Sequence, residues 1–431
     1  MASFPGLVDV CLDEQGKLVY LMMQDGKPSI SDEYYNDEDK RCVPPAREHF
    51  QFTLPSVKEV CSYLSKDDPD LGKDIVTYLK QFSGLDDEQW EMIRSFIFLT
   101  YLHDHPQISY CPYLLFFAVP ERGKTRTGKS ICSISRRALH LVDLREANVF
   151  RAAQHLHATL FFDLLDVGDK AKKGGCEDML LLRYEKGAKV SRVLHPERGA
   201  FKDTVYYDIY GPTIFASNKS LHDILTTRCL PIVMPNRPGI YKNLSPESGI
   251  SLKERLTAWR AKNMNVNLPE VSPPKGVSGR LWDISKPLFQ ICKITGGNEI
   301  LLSRAISKIS GEKADSKKDS VEGRIVGIIK ELTEEKKVYE KPEWRLSVSS
   351  ILQNFNDKSY YEHKSSAAWM GRTLASLSLK SKKDGKGNMG IVLTQIDYRT
   401  LLEQYGYVSI SEKTSVSSVS SVDEEEFDVF Q

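Results

Sequence analysis

The 431-residue sequence has no apolar run of the roughly 18 residues that crossing a bilayer requires; its most apolar stretches, "CPYLLFFAVP" and "MIRSFIFLTYLH", fall short. No charged-then-apolar layout opens it either, so the expectation is a cytoplasmic protein with no membrane contact. Cysteine is sparse and unpatterned. The eight residues (Cys11, Cys42, Cys61, Cys111, Cys132, Cys176, Cys229 and Cys292) form no CxxC pair and have no histidine at metal-ligand spacing, which predicts reduced, structural thiols rather than a disulfide framework or a zinc site. An excess of one charge sign is also missing: 59 Lys and Arg against 58 Asp and Glu leave a net charge of +1. A global basic field is therefore excluded, and any nucleic-acid contact has to come from local patches.

What is present is an ordinary globular composition, 41% hydrophobic and 27% charged, long enough for two to four domains. Residues 1–50 contain a small β element around "KLVYLMMQDGKPSI", with Asp25-Gly26 as a hairpin turn. Residues 51–108 change to helical period, with Asp86 and Asp87 as caps for the last helix, and are expected to form a collar. From 109 to 262, the runs "YLLFFAV", "LHLV", "ATLFFDLLDV", "PTIFAS" and "LPIVM" alternate with amphipathic segments, which predicts an α/β core with a parallel sheet. A helical lid is expected over 263–310 and "GEKADSKKDS" reads as a polar linker. Three helices plus a Lys/Gly hairpin over 321–407 suggest a winged helix. The Ser-rich then acidic end, 408–431, reads as a disordered tail, either a solubilising end or a peptide that competes with DNA.

The stretch "ERGKTRTGKS", 121–130, holds two overlapping phosphate-loop candidates. The register ending at Thr125 would need glycine at 118 and meets Ala118, whereas Gly123-x-x-x-x-Gly128-Lys129-Ser130 fills every position of GxxxxGK[ST]. On that register Lys129 is the β/γ-phosphate lysine, Ser130 the Mg²⁺-ligating hydroxyl, and "KSICSISRRAL" the helix that follows. The strand "HATLFFD" then ends in Asp163, placed to hold the Mg²⁺ shell, and "YGPTIFASN" ends in Asn218, placed to orient an attacking water. Arg228, ahead of the last strand, is positioned to act across a subunit boundary.

The ordered series "GKTRTGKS", "TLFFDLLD", "RYEKGAKVSRV", "YGPTIFASN", "TTRCLPIVM" and "GRLWDISKPLFQIC", over roughly residues 105–407, resembles the AAA+-like P-loop ATPases of mobile genetic elements, plasmids and viruses, the primase-associated helicase group. The resemblance implies a ring-forming, ATP- and Mg²⁺-dependent DNA helicase or translocase. Its implied assembly is a homo-oligomer, expected to be a hexamer, with a primase or another replication protein as partner. Leu164 departs from the pattern, since many members place Glu directly after the strand-end Asp; either Asp166 reaches the water or hydrolysis is slow. "GAKVSRVLHPERGAFKDTVYYDIY" reads as a β-hairpin, which in related helicases enters the ring pore; Arg192, Arg198 and Lys202 are its candidate phosphate contacts. Lys382 and Lys383 in the C-terminal wing are further candidates, and Trp369 reads as core. An ATP-gated switch or loader is the competing expectation. A small-molecule kinase would leave Arg228, the hairpin and the C-terminal segment unexplained.

Overall fold

In the computed structural model the chain divides into two compact units, Met1–Ser307 and Lys308–Gln431. The described residues are 2–117, 121–194, 196–219, 221, 223–237, 239–245, 247–358 and 364–407; the tail expected over 408–431 lies outside them. The first unit opens with an antiparallel meander, β1 (Leu7–Leu12), β2 (Leu18–Gln24) and β3 (Lys27–Ser31). Its second turn is the expected Asp25-Gly26, with φ of 50° and 75°, the conformation a two-residue hairpin loop demands. A short ladder, β4 (Tyr34–Tyr35) with β5 (Arg41–Cys42), precedes α1 (Val57–Leu64), α2 (Leu71–Lys80) and α3 (Asp87–Leu102). Asp86 starts α3 in a reciprocal capping box with Gln89, and α3 is buried on every side from Trp90 to Leu102.

The layer that positions the site follows: β6 (Tyr113–Phe117), α4 (Lys124–Ile134), β7 (Leu139–Leu141), α5 (Glu146–Leu156), β8 (Leu160–Asp163), α6 (Val167–Lys173) and α7 (Glu177–Leu182). A hairpin, β9 (Lys189–Val193) and β10 (Thr204–Asp208), leads to β11 (Thr213–Ser217), α8 (Asp223–Thr226), β12 (Cys229–Val233) and α9 (Ile250–Asn263). The five apolar runs seen in the sequence become one five-stranded parallel sheet of order β12-β6-β11-β8-β7. Its central side chains, among them Leu114, Phe116, Phe161, Phe162, Ile214 and Phe215, are fully buried, as a sheet covered on both faces requires. Because β11 lies between β6 and β8, the loops leaving β6, β11 and β8 emerge side by side at the C-terminal edge of the sheet.

The meander and helices are bonded to this layer by buried ion pairs, so the segments 1–50, 51–108 and 109–262 form one body. Asp9 accepts from Arg137 at 2.6 Å, and Asp104 takes Arg260 in a bidentate pair at 2.7 Å and 2.7 Å. After an irregular stretch, α10 (Gly279–Ile294) packs on α3 and α11 (Glu299–Asp319) continues without a break. "GEKADSKKDS" is therefore not a linker. It is the second half of α11, built from strong helix formers with an Asp315–Lys318 pair at 3.7 Å, and the chain breaks at Ser320, which caps the next helix.

The second unit runs α12 (Val321–Glu335), β13 (Glu343–Ser347), α13 (Val348–Lys358), α14 (Ala367–Ser376), β14 (Ser381–Lys383), β15 (Met389–Thr394) and α15 (Gln395–Gln404). Its three strands form an antiparallel sheet of order β13-β15-β14. Ile325, Ile329, Trp344, Leu346, Ile351, Phe355, Met370, Leu374, Ile391 and Leu393 make its core, with Trp369 packed against it.

Candidate functional site

The loop after β6 enters α4 directly at Lys124, and Gly123 precedes it as the N-cap with φ of 81°, a left-handed conformation that glycine adopts at no steric cost. No side chain caps this end, so the N–H groups of the first turn face outward and carry the positive end of the helix dipole. From Thr127 onward the backbone is engaged within the helix: Thr127 N–H donates to the Gly123 carbonyl at 2.9 Å. The helix start therefore falls at Gly123-Lys124-Thr125, and the Gly128-Lys129-Ser130 triplet of the 123–130 register lies inside α4. A phosphate loop must end where the helix begins, and residues 124–130 are already helix.

Gly128, Lys129 and Ser130 have structural surroundings of their own within α4. Gly128 is a packing glycine, since a Cβ there would come within 2.2 Å of the Phe161 ring on β8. The Ser130 hydroxyl is fully buried and donates to the Thr127 carbonyl at 2.8 Å. Lys129 is exposed one turn along α4. The helix also stops at Ile134, short of the "RRAL" expected to extend it, and Arg136 and Arg137 turn into the buried ion pairs.

A cavity of about 1240 Å³ opens over this helix end. Gly123, Lys124 and Thr125 line it, together with Asp163 at the end of β8 and Asn218 just beyond β11. Among the described lining residues the cations are Arg122, Lys124, Arg126, Lys129 and Arg237, and the carboxylates are Glu121 and Asp163. That five-to-two balance suits a polyanion. Burial pulls the Lys124 ammonium below its usual range while Asp163 pulls it back, so this lysine and carboxylate share one local field. Arg122 carries a buried Nη1 with no hydrogen-bond partner among the described residues.

Asp166 does not reach the cavity lining. It is the N-cap of α6, accepting from Asp169 N–H at 3.0 Å, and it pairs with Lys219 at 2.9 Å; these contacts lower its pKa, the Asp169 N–H most. Leu164 is buried and lines the cavity. Arg228 sits at the start of β12, the end of the sheet away from the cavity. It is buried, its Nε donating to the Leu181 carbonyl at 3.1 Å and its Nη1 to the Ile224 carbonyl at 2.6 Å, with its guanidinium over the Tyr184 ring.

The hairpin forms as read, with Val193 opposite Thr204 and Lys189 opposite Asp208. Arg192, one of the candidate phosphate contacts, folds back on α5, paired with Glu146 and lying over Phe150 at 5.5 Å. Arg198 and Lys202 are exposed. Lys382 and Lys383 are exposed on β14, whose hairpin is held by Arg345 donating to the Asn388 carbonyl at 2.8 Å. Sequence reasoning passed over Glu121, Arg237 and Tyr241, all of which line the cavity. "PNRPGIY" directly after a strand was the available signal for the last two.

Among the described residues no group of three or more His, Cys, Asp or Glu side chains is placed to hold a metal, and no helix is long and apolar enough to cross a membrane. Neither a family model nor a curated protein matches the chain. Among solved structures, the apo A form of the NrS-1 C-terminal region superposes with a TM-score of 0.37 at 10% identity, over 90% of this chain and 96% of that one. The active helicase Cch of SCCmec type IV superposes with a TM-score of 0.35 at 10% identity, over 89% of this chain and 78% of that one. Likeness at that level carries no argument about fold or activity.

Proposed function

We propose that the chain is a P-loop ATP hydrolase of the DNA helicase or translocase type, working as a ring-forming homo-oligomer in replication of a mobile element or virus. The observation that carries the ATPase reading is the entry of the β6 loop into α4 at Gly123-Lys124-Thr125, in a cavity that Asp163 and Asn218 also line. Lys124 and the first-turn N–H groups hold the β- and γ-phosphates. Mg²⁺ fits the donor set, because this ion takes one or two protein oxygens and fills its octahedron with water and phosphate; Thr125 and Asp163 would hold it. When bound it would neutralise charge on the β- and γ-oxygens. Asn218 orients the attacking water. With Asp166 capping α6, Glu121 is the remaining lining carboxylate able to take the water's proton.

The DNA reading is supported by exposed Arg198 and Lys202 on the hairpin and by the second unit. Its helix–strand–helix–helix–strand–strand order supports the winged-helix reading, in which Lys382 and Lys383 lie on the wing. Oligomerisation is supported by the exposed apolar side chains Leu165 and Ile240 close to the cavity. A nucleotide-gated switch or loader is the second reading, favoured by buried Leu164 where the water-polarising glutamate is expected. The test is ATP hydrolysis and strand separation with 3′- and 5′-tailed duplexes, comparing the protein with Lys124→Ala and Lys129→Ala. DNA-stimulated turnover that Lys124→Ala abolishes and Lys129→Ala keeps is expected. Nucleotide-dependent assembly with negligible turnover would select the switch, and full activity in Lys124→Ala would overturn the site.

A further inference from the structure

The cavity is larger than a triphosphate fills, and its volume of about 1240 Å³ exceeds the roughly 300–1,000 Å³ common for whole small-molecule ligands. Part of its lining follows β12, three strands along the sheet from β8 and Asp163. Two loops build that side, the α2–α3 turn around Phe82–Gly84 and the segment that leaves β12 at Met234. They are fastened together: Lys242 N–H donates to the Gln81 carbonyl at 2.9 Å, Gln89 Nε2 to the Val233 carbonyl at 3.0 Å and Arg237 Nη1 to the Leu85 carbonyl at 2.8 Å. Thr127 of α4 holds the turn from below through the Ser83 hydroxyl at 2.8 Å.

Resting on the phosphate reading above, we propose that this flank is a nucleobase subsite and that Tyr241 is its aromatic wall. Its hydroxyl donates to the Arg237 carbonyl at 3.2 Å, which fixes the ring against its own loop, and it occupies the space a Cβ at residue 84 would take, 2.4 Å away. Gly84 is thus the residue that lets the ring seat. Arg126 lies over one face of the ring, 5.9 Å from its centre, and holds its orientation at the cavity wall. Apolar Phe82 and Leu244 flank it and Asn243 offers an amide that both donates and accepts. A flat heteroaromatic ring with a polar edge is the ligand chemistry this combination receives, joined through its sugar to phosphates at Lys124.

The test measures binding of Mg²⁺-ATP and of Mg²⁺-tripolyphosphate to the full chain and to Tyr241→Ala and Tyr241→Phe, with thermal melting as a check on folding. ATP is expected to bind the parent tenfold or more tighter than tripolyphosphate. Tyr241→Ala should lose that margin while its tripolyphosphate affinity stays within twofold, and Tyr241→Phe should keep it. Equal affinity of the parent for the two ligands would overturn the base subsite while leaving the phosphate site standing, and needs no variant. Equal loss of both ligands in Tyr241→Ala would also overturn it. A parent that binds neither ligand would remove the nucleotide reading itself.

Discussion

Replacing Gly128 by alanine separates the two phosphate-loop registers through stability rather than chemistry. The added Cβ would stand 2.2, 2.6 and 2.9 Å from three atoms of the Phe161 ring, well inside van der Waals contact. Phe161 has little room to yield: it is fully buried in the middle of the sheet and stacks on His140 with ring centres 4.9 Å apart. Overpacking of this kind costs about 1–3 kcal/mol, and with so little freedom the upper part of that range applies. Alanine returns about 1 kcal/mol through its better helix propensity. A net loss of about 2 kcal/mol corresponds to roughly 3 °C in melting temperature for a unit of this size. The assay is thermal unfolding paired with Mg²⁺-ATP binding below the transition. Gly128→Ala should melt earlier yet bind ATP with nearly parental affinity, because the phosphate-facing N–H groups belong to the turn that starts at Lys124. An unchanged melting temperature with abolished ATP binding would refute the packing role and restore the 123–130 register.

Asp166→Ala should cost about 1 kcal/mol through loss of the α6 cap and leave ATP turnover unchanged; a drop of tenfold or more would return Asp166 to the hydrolytic machinery. Its lowered pKa means that its contribution is present above the ordinary carboxylate range and is lost as pH falls through the lowered value, so Asp166→Ala and parent should converge in stability at acid pH. Glu121→Gln should retain ATP binding and lower turnover by about 10²- to 10⁴-fold, and parental turnover would dismiss Glu121 as the proton acceptor. Arg198→Ala with Lys202→Ala should reduce the log–log salt slope for single-stranded DNA by about 1.4, whereas Arg192→Ala, which loses the Glu146 pair, should leave the slope alone. An unchanged slope in the double variant would move the DNA contact off the hairpin.

The parallel sheet was legible because strands buried on both faces need side chains that are apolar at every position, and such runs stand out without any knowledge of pairing. The Asp25-Gly26 turn was legible for a local reason as well, since few dipeptides accept two positive φ angles in succession. β13 escaped notice although "EWRLS" alternates exposed and buried residues as a strand should; at five residues it is too short to stand out between helices. "GEKADSKKDS" misled for the opposite reason, because its polarity suggests a linker while Glu, Lys and Ala are good helix formers that α11 simply extends into.

The site itself turned on non-local facts. Both GK[ST] triplets satisfy the same short pattern, and the choice between them depends on where the helix starts. That start is set by the left-handed backbone at Gly123 and by the fit of Gly128 against Phe161, a residue on another strand. A pattern of residue types carries neither a dihedral angle nor a neighbour across the sheet, so the glycine demanded at 118 favours the 123–130 register while the helix start favours Gly123-Lys124-Thr125. Asp166 shows the same limit, since its carboxylate was visible but the Asp169 N–H that holds it was not. Asp163 and Asn218 line the cavity as a consequence of strand order alone: each ends or directly follows a buried parallel strand, and the ends of β8, β11 and β6 must meet at one edge. Lys124 joins them there because the helix after β6 has to begin at that edge.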